Sequence, residues 1–442
     1  LDARGVKASL KVKASNVGEM MRTFGVVSDL SSPLEASAAL RELDDRYLVD
    51  DLKLTLGASD LSGELSYEKK KNRPQINAKL VSNLLDLDSF ASGKKKQKTD
   101  RVFPDEPLPV EALRSVDADV SLKANQVRTA GLEINAVSLD LKLLNGRLTL
   151  VPKGGLYGGE VGGSIGLDAA ADRPRLETVV EAKHVNLAAM VNAMQKSELL
   201  AGGPTDLSLK LKGAGKSPHD IAASSDGMLL AVIGPGRIHT SAVEKVGADA
   251  VMQALRAASG EGQADYTGFD CGVARFVIKK GEAVADKGIA VQNARMNVVG
   301  SGTVDLDTEK VDIAIKTEPR EGVGLSVSAV GLGVRVGGTL ANPTTSVDPL
   351  GTAKAGASAA AAVATGGLSL LGQALFSRAT ADEAPCDTAR GIKPKKTAST
   401  STSSKQTQES GGSGSGGASG AADAVTDTLK GVGDKLKGLF GN

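Results

Sequence analysis

Tryptophan is absent from this chain, and only 4 tyrosines and 7 phenylalanines are spread over 442 residues. Aromatic side chains ordinarily dominate compact cores and binding hot spots, so their scarcity leaves Leu, Val, Ile and Ala to build any core in thin layers. The charges nearly cancel, at a net +1, which removes a global electrostatic case for attraction to nucleic acid or a membrane. Basic residues matter only where they cluster. The two cysteines, Cys271 and Cys386, fit a secreted or periplasmic chain with one disulfide, or two unrelated thiols. Pairing would close a long loop and stabilise by roughly 4–5 kcal/mol in the chain-entropy model. There is no starting Met and no signal peptide, so the N-terminus is expected to be processed or cut away, and a membrane anchor with it.

Catalytic and metal chemistry is missing as well. His184, His219 and His239 are isolated, with no i, i+4 partner and no cysteine nearby, and fit surface or strand positions better than ligand positions. No Walker-type loop is present. Gly300 and Gly302 lie inside hairpin text, and Gly154 to Gly159 fits a tight strand-to-strand connection. With no nucleophile and base in motif context, the expectation is a protein without catalytic residues, metal or cofactor, and so not an enzyme.

What the chain has instead is repetition. Leu61-Ser62-Gly63-Glu64-Leu65 followed by Arg73-Pro74 recurs as Val161-Gly162-Gly163-Ser164-Ile165 followed by Arg173-Pro174, an offset of 100 residues. Each copy runs on to a stop at Leu87 or Leu187. A partial third copy is Gly300-Ser301-Gly302-Thr303-Val304-Asp305-Leu306 with Lys310 to Ile315. Fixed spacing of strand units points to an array in which each unit buries its apolar face against its neighbour.

Period-2 alternation dominates the text. Leu52, Leu54 and Leu56 alternate with Lys53 and Thr55; Leu139, Leu141 and Leu143 with Asp140 and Lys142; Leu207, Leu209 and Leu211 with Ser208 and Lys210; Val311, Ile313 and Ile315 with Asp312 and Ala314. Asn145-Gly146 supplies a type I′ hairpin turn. One aliphatic and one charged face are what antiparallel strands with one buried side produce. Helical spacing appears at 186–200 and 241–258, as pieces that cap the ends of the sheet.

The uncharged run from Ala355 to Ser377 is long enough to span a membrane but is mostly small residues, which fits a cap or interfacial segment better. Lys94, Lys95, Lys96, Lys98 and Arg101 form a basic run before Pro104, Pro107 and Pro109, a solvated loop with head-group contact as the lesser reading. From Thr397 to Gly420, 18 of 24 residues are Ser, Thr or Gly, which makes a flexible linker. Val425, Leu429, Val432, Leu436, Leu439 and Phe440 then form the apolar stripe of an amphipathic helix that meets a membrane surface or a partner protein. The expected organisation is therefore β repeat units at 1–100 and 101–205 and a C-terminal β unit at 206–350. An Ala/Gly-rich segment at 351–392, the linker at 393–420 and the helix at 421–442 follow.

Several of these pieces together resemble a known family. Leu144-Asn145-Gly146-Arg147-Leu148, Leu156-Tyr157-Gly158-Gly159 and Val161-Gly162-Gly163 resemble the "N-G-x-L … L-Y-G-G-x-x-x-G" signature of the AsmA family of envelope proteins. Gly57 to Gly63 before Arg73-Pro74, Phe269-Asp270-Cys271 ahead of Arg275-Phe276, and Gly338-Thr339-Leu340-Ala341-Asn342-Pro343 extend the likeness over roughly residues 1–350. The resemblance implies a long β-sheet groove on the periplasmic face of the Gram-negative inner membrane, held there by an N-terminal helix. Larger relatives are viewed as bridge-like carriers of phospholipid between the two membranes.

The expected fold is thus mainly β: a long curved antiparallel sheet of repeated strand units forming an open groove, with a few short capping helices. Some 18 strands at about 4.8 Å spacing give a groove of about 85 Å. Its lining is expected from Leu52, Leu54, Leu56, Leu139, Leu141, Leu143, Leu207, Leu209, Leu211, Val311, Ile313 and Ile315, with phospholipid or another acyl lipid as partner. The competing expectation is an assembly factor for outer-membrane proteins, its apolar face covered by its own helices.

Overall fold

The structure, a computed structural model, describes residues 5–23, 30–91, 101–195, 200–239, 266–294, 296–319, 334–347 and 382–392. Contacts divide the chain into two compact units, Leu1–Pro394 and Lys395–Asn442, and every described residue lies in the first. Outside the described residues fall the helix expected at 241–258, the segment 355–377, Lys94 to Lys98, the linker, and the stripe Val425, Leu429, Val432, Leu436, Leu439 and Phe440.

The first five strands form an antiparallel meander: β1 (Lys7–Ala14), β2 (Leu34–Leu43), β3 (Arg46–Leu56), β4 (Ser59–Glu68) and β5 (Gln75–Asp86). A second meander follows in β6 (Asp117–Thr129), β7 (Leu132–Leu144), β8 (Arg147–Leu156), β9 (Gly159–Asp168) and β10 (Arg175–Asn186). The small strand β11 (Leu200–Gly202) then leaves the sheet, and β12 (Pro204–Ala214) and β13 (Asp226–Ile233) rejoin it. A separate three-stranded sheet forms where β14 (Gly236–His239) pairs with β11 and β15 (Tyr266–Phe269) pairs with β14. The remaining strands are β16 (Cys271–Lys279), β17 (Glu282–Gln292), β18 (Met296–Asp305), β19 (Val311–Pro319), β20 (Val334–Gly338) and β21 (Pro343–Val347).

The result is one open 18-stranded sheet in which successive members lie side by side in chain order. It runs without a break across residues 100 and 205, so the repeat units share one sheet. Eighteen strands at about 4.8 Å span about 80 Å. The expectation of antiparallel pairing needs one correction: β5 and β6 are parallel. A parallel neighbour requires a crossover, and residues 87–116 provide it, returning the chain to the rim from which β5 started. That segment holds α2 (Asp88–Ala91) and α3 (Val110–Ser115). The other helices are α1 (Val17–Thr23), α4 (Leu187–Gln195), α5 (Pro218–Ala223) and α6 (Pro385–Arg390). The helix expected at 186–200 therefore stops short, because Leu200 already belongs to β11.

Local chemistry explains the hairpins. Five turns place two successive residues at positive φ: Asp44-Asp45, Ala130-Gly131, Asn145-Gly146, Tyr157-Gly158 and Lys280-Gly281. This is the type I′ pattern, whose twist matches that of the flanking strands. Four strand bulges carry a non-glycine residue at positive φ, at Asp51, Ala136, His184 and Lys287. Bulges bend strands, and neighbours satisfy two of the freed amides: His184 N donates to Asp206 Oδ1 and Lys287 N to Ser301 Oγ.

The sequence repeat is a structural repeat. β4 and β5 have the same bounds as β9 and β10, shifted by 100 residues. A Cβ at Gly63 would lie 2.0 Å from the carbonyl oxygen of Lys79, and one at Gly163 would lie 2.0 Å from that of Val179. Only glycine tolerates such an approach. The prolines also do matching work: Pro74 O accepts from Asp117 N and Pro174 O from Gly215 N, both at 2.9 Å.

Candidate functional site

In a sheet, directly opposed residues share a face. One row can therefore be followed from β1 to β19: Ala8, Leu40, Val49, Leu65, Ala78, Val120, Leu141, Leu150, Ile165, Thr178, Leu211, Gly227, Ile278, Ala283, Val304 and Val311. Across sixteen strands, Thr178 is the one polar side chain in it. All twelve residues expected to line a groove share this face. Leu52, Leu54 and Leu56 stand opposite Gly63, Leu61 and Ser59; Leu139, Leu141 and Leu143 opposite Leu122, Val120 and Ala118. Leu207, Leu209 and Leu211 meet Ala231, Leu229 and Gly227, and Val311, Ile313 and Ile315 meet Val304, Gly302 and Gly300. Leu143 is buried and the other eleven are half-buried. At the β1 edge the face is open, with Leu10 57% exposed.

Walls form at the two rims. At the rim holding the 157–158 turn, Met190 of α4 packs with Leu207 and Tyr157 against buried Leu156, Ala182 and Val185. At the opposite rim, Leu306 and Leu340 fold in with Leu211, Phe276, Val311 and Ile313 against Ile278, Ala283 and Val304. Residues 101–116 of the crossover run along this second rim and are clamped there. Glu309 is 1% exposed, and its carboxylate accepts from Val102 N (2.7 Å) and Phe103 N (2.8 Å). His219 at the start of α5 lies between carboxylates, with Nδ1 2.7 Å from Asp105 Oδ1 and Nε2 3.0 Å from Asp307 Oδ1. The Asp307 carbonyl, accepting from Nε2, raises the imidazole pKa above its usual value; Asp105 adds to this, while burial and nearby Arg101 oppose it. Leu108 N donates to Lys216 O, and Arg114 donates to the carbonyls of Ala169 and Ala171.

The other face is charged. Lys79–Glu64, Lys212–Glu177 and Arg335–Asp312 pair across its strands. An apolar patch on it, at Val273, Ala290 and Leu230, is covered by α6 through Cys386 and Ala389. A disulfide between Cys271 and Cys386, 115 residues apart in sequence, holds the helix down, and Arg275 Nε donates to Ala389 O.

Sequence reasoning missed the clamp. Asp307-Thr308-Glu309 is ordinary turn text, and nothing in it signals a buried carboxylate. Of the histidines, His184 lies at a bulge, His239 packs edge-on against Tyr266 (4.8 Å between centroids) and His219 joins the clamp. Among the described residues no group of His, Cys, Asp and Glu has the arrangement of a metal site, and no helix is long and apolar enough to cross a membrane.

Comparison with curated proteins and with solved structures finds no match. The profile of the AsmA family matches residues 51–287, which run from β3 to β17 and carry most of the aliphatic row. The match covers more than half of the chain, and the protein belongs to the AsmA family.

Proposed function

We propose that the aliphatic face binds acyl chains, and that the protein takes part in phospholipid transport between the inner and outer membranes of a Gram-negative cell envelope, and so in outer-membrane biogenesis. The observation that carries this reading is the row from Ala8 to Val311, apolar across sixteen strands and only partly buried where its leucines lie. A partly exposed apolar face of this extent marks an interaction surface, and hydrocarbon fills it without requiring hydrogen-bond partners. Rim walls at α4 and at the crossover clamp keep chains on the face while leaving the direction across the strands open. In this reading the work is done by surface, with no catalytic residue, at the periplasmic side of the inner membrane. Family membership supports lipid handling and envelope biogenesis in general terms.

The test is native mass spectrometry of protein purified from a Gram-negative periplasm, with extraction of bound lipid. The expected result is several phospholipid molecules per chain. A lipid-free mass under conditions that preserve the fold would overturn the reading.

A further inference from the structure

The end of the aliphatic face meets the small sheet at one aromatic ring. Ile233 opposes Gly272 and continues the face of Leu229 and Ala231. A Cβ built on Gly203 would meet both Ile233 Cγ2 (3.2 Å) and Phe269 Cζ (3.8 Å), so the two side chains converge there. Beyond Phe269 opens a recess of about 610 Å³, lined also by Pro235, Arg237, Thr267, Asp270 and Asn293.

Its walls carry one charge of each sign, held apart. Arg237 opposes Gly268, and Asp270 sits at the bend just past the end of β15, on the wall of the same recess. Neither side chain has an ion-pair partner among the described residues, whereas Arg41 pairs with Asp50 and Arg335 with Asp312. The guanidinium of Arg237 lies 5.7 Å from the centroid of the Tyr266 ring, which orients it without neutralising it. A ligand with phosphate and amine separated by a short linker answers both charges at once. Guanidinium matches phosphate, and a primary ammonium offers three donors to a carboxylate.

We propose that this recess holds the head group of a phosphoethanolamine-type zwitterionic lipid, phosphate on Arg237 and ammonium on Asp270, with the acyl chains passing Phe269 onto the aliphatic face. The proposal rests on the acyl-binding reading for its chains but not for its head group, and two probes separate them. The first is a mixture of phosphatidylethanolamine and phosphatidylglycerol with identical chains, offered to the full protein and read by native mass spectrometry. The second is glycerophosphoethanolamine, which has the head group and no chains, read by calorimetry.

Wild type should enrich the ethanolamine lipid about tenfold, the ratio supplied by one charge-assisted hydrogen bond. Asp270→Asn should erase the preference, and Arg237→Gln, which loses the phosphate contact that both lipids share, should abolish glycerophosphoethanolamine binding, each leaving the total lipid load and the melting temperature unchanged. Both positions are exposed, so neither change should disturb folding. A loaded wild type without preference, unaltered by either variant, overturns the recess and leaves the acyl-binding reading standing. No acyl lipid, but glycerophosphoethanolamine binding that both variants abolish, keeps the recess and overturns that reading. If neither probe binds, both fall.

Discussion

The two faces of the sheet treat apolar surface in opposite ways. On the charged face, the patch at Val273, Ala290 and Leu230 is capped by α6 and tied down by the Cys271–Cys386 disulfide. The aliphatic face is far larger, yet its leucines stay partly exposed along the strands, and among the described residues it is walled at the rims. The chain has the means to cover an apolar patch and applies them to the small one. The acyl-binding proposal accounts for that contrast: the large face is the one left for a ligand.

The largest expected break in the contrast comes from removing the cap. Cys386→Ser, or reduction of wild type, opens a loop of 115 residues, for which the chain-entropy model gives about 4–5 kcal/mol. Denaturant unfolding should show a loss of that order, and dye binding should report a new apolar patch. Gly163→Ala comes next: its Cβ would overlap the Val179 carbonyl, and a loss of about 2–3 kcal/mol is expected. Equal losses at Gly63 and Gly163 would show that the repeats are energetically alike.

The clamp should matter less. Glu309→Gln leaves one buried amide facing an N–H instead of an oxygen, at a cost of about 1–3 kcal/mol, and proteolysis at 101–109 should accelerate. Because the folded-state pKa of His219 is raised, its contribution is complete below the unfolded value of about 6.5 and is lost as pH rises through the folded value. A His219→Gln variant should lose that pH dependence of stability. Carboxylates give the opposite slope. Asp220, Asp305 and Asp312 are lowered by bonds from Lys216 N, Thr308 N and Arg335 respectively, so their contribution is present above pH ~4 and fades as pH falls through the folded values. Smallest of all is Lys212→Ala on the charged face, an exposed pair worth under about 1 kcal/mol.

Much of the sheet was legible in the sequence because its signals are local. Alternation at Leu139, Leu141 and Leu143 marked the face, Asn145-Gly146 marked the turn, and Gly63 and Gly163 marked a repeat that recurs in the backbone. The missing parts depend on contacts distant in the chain. The parallel pairing of β5 with β6 follows from a 30-residue excursion whose prolines indicate an extended path but not its destination. Burial of Glu309 depends on Val102 and Phe103, about 206 residues away. Likewise, Arg237 on β14 and Asp270, just past the end of β15, are separated in sequence by residues 240–265 and come together through the small sheet.

The central claim is that the faces differ in what they hold, and neighbouring residues on one strand test it most directly. Leu141 and Lys142 point to opposite faces of β7. Bound phospholipid should be measured by native mass spectrometry in Leu141→Asp and Lys142→Asp, with circular dichroism to follow the fold. A charge placed among acyl chains costs several kcal/mol, so the account predicts a folded Leu141→Asp protein stripped of most of its lipid beside a Lys142→Asp protein loaded like wild type. Equal lipid loads in the two variants, or global unfolding of Leu141→Asp as if from an ordinary packed core, would contradict it.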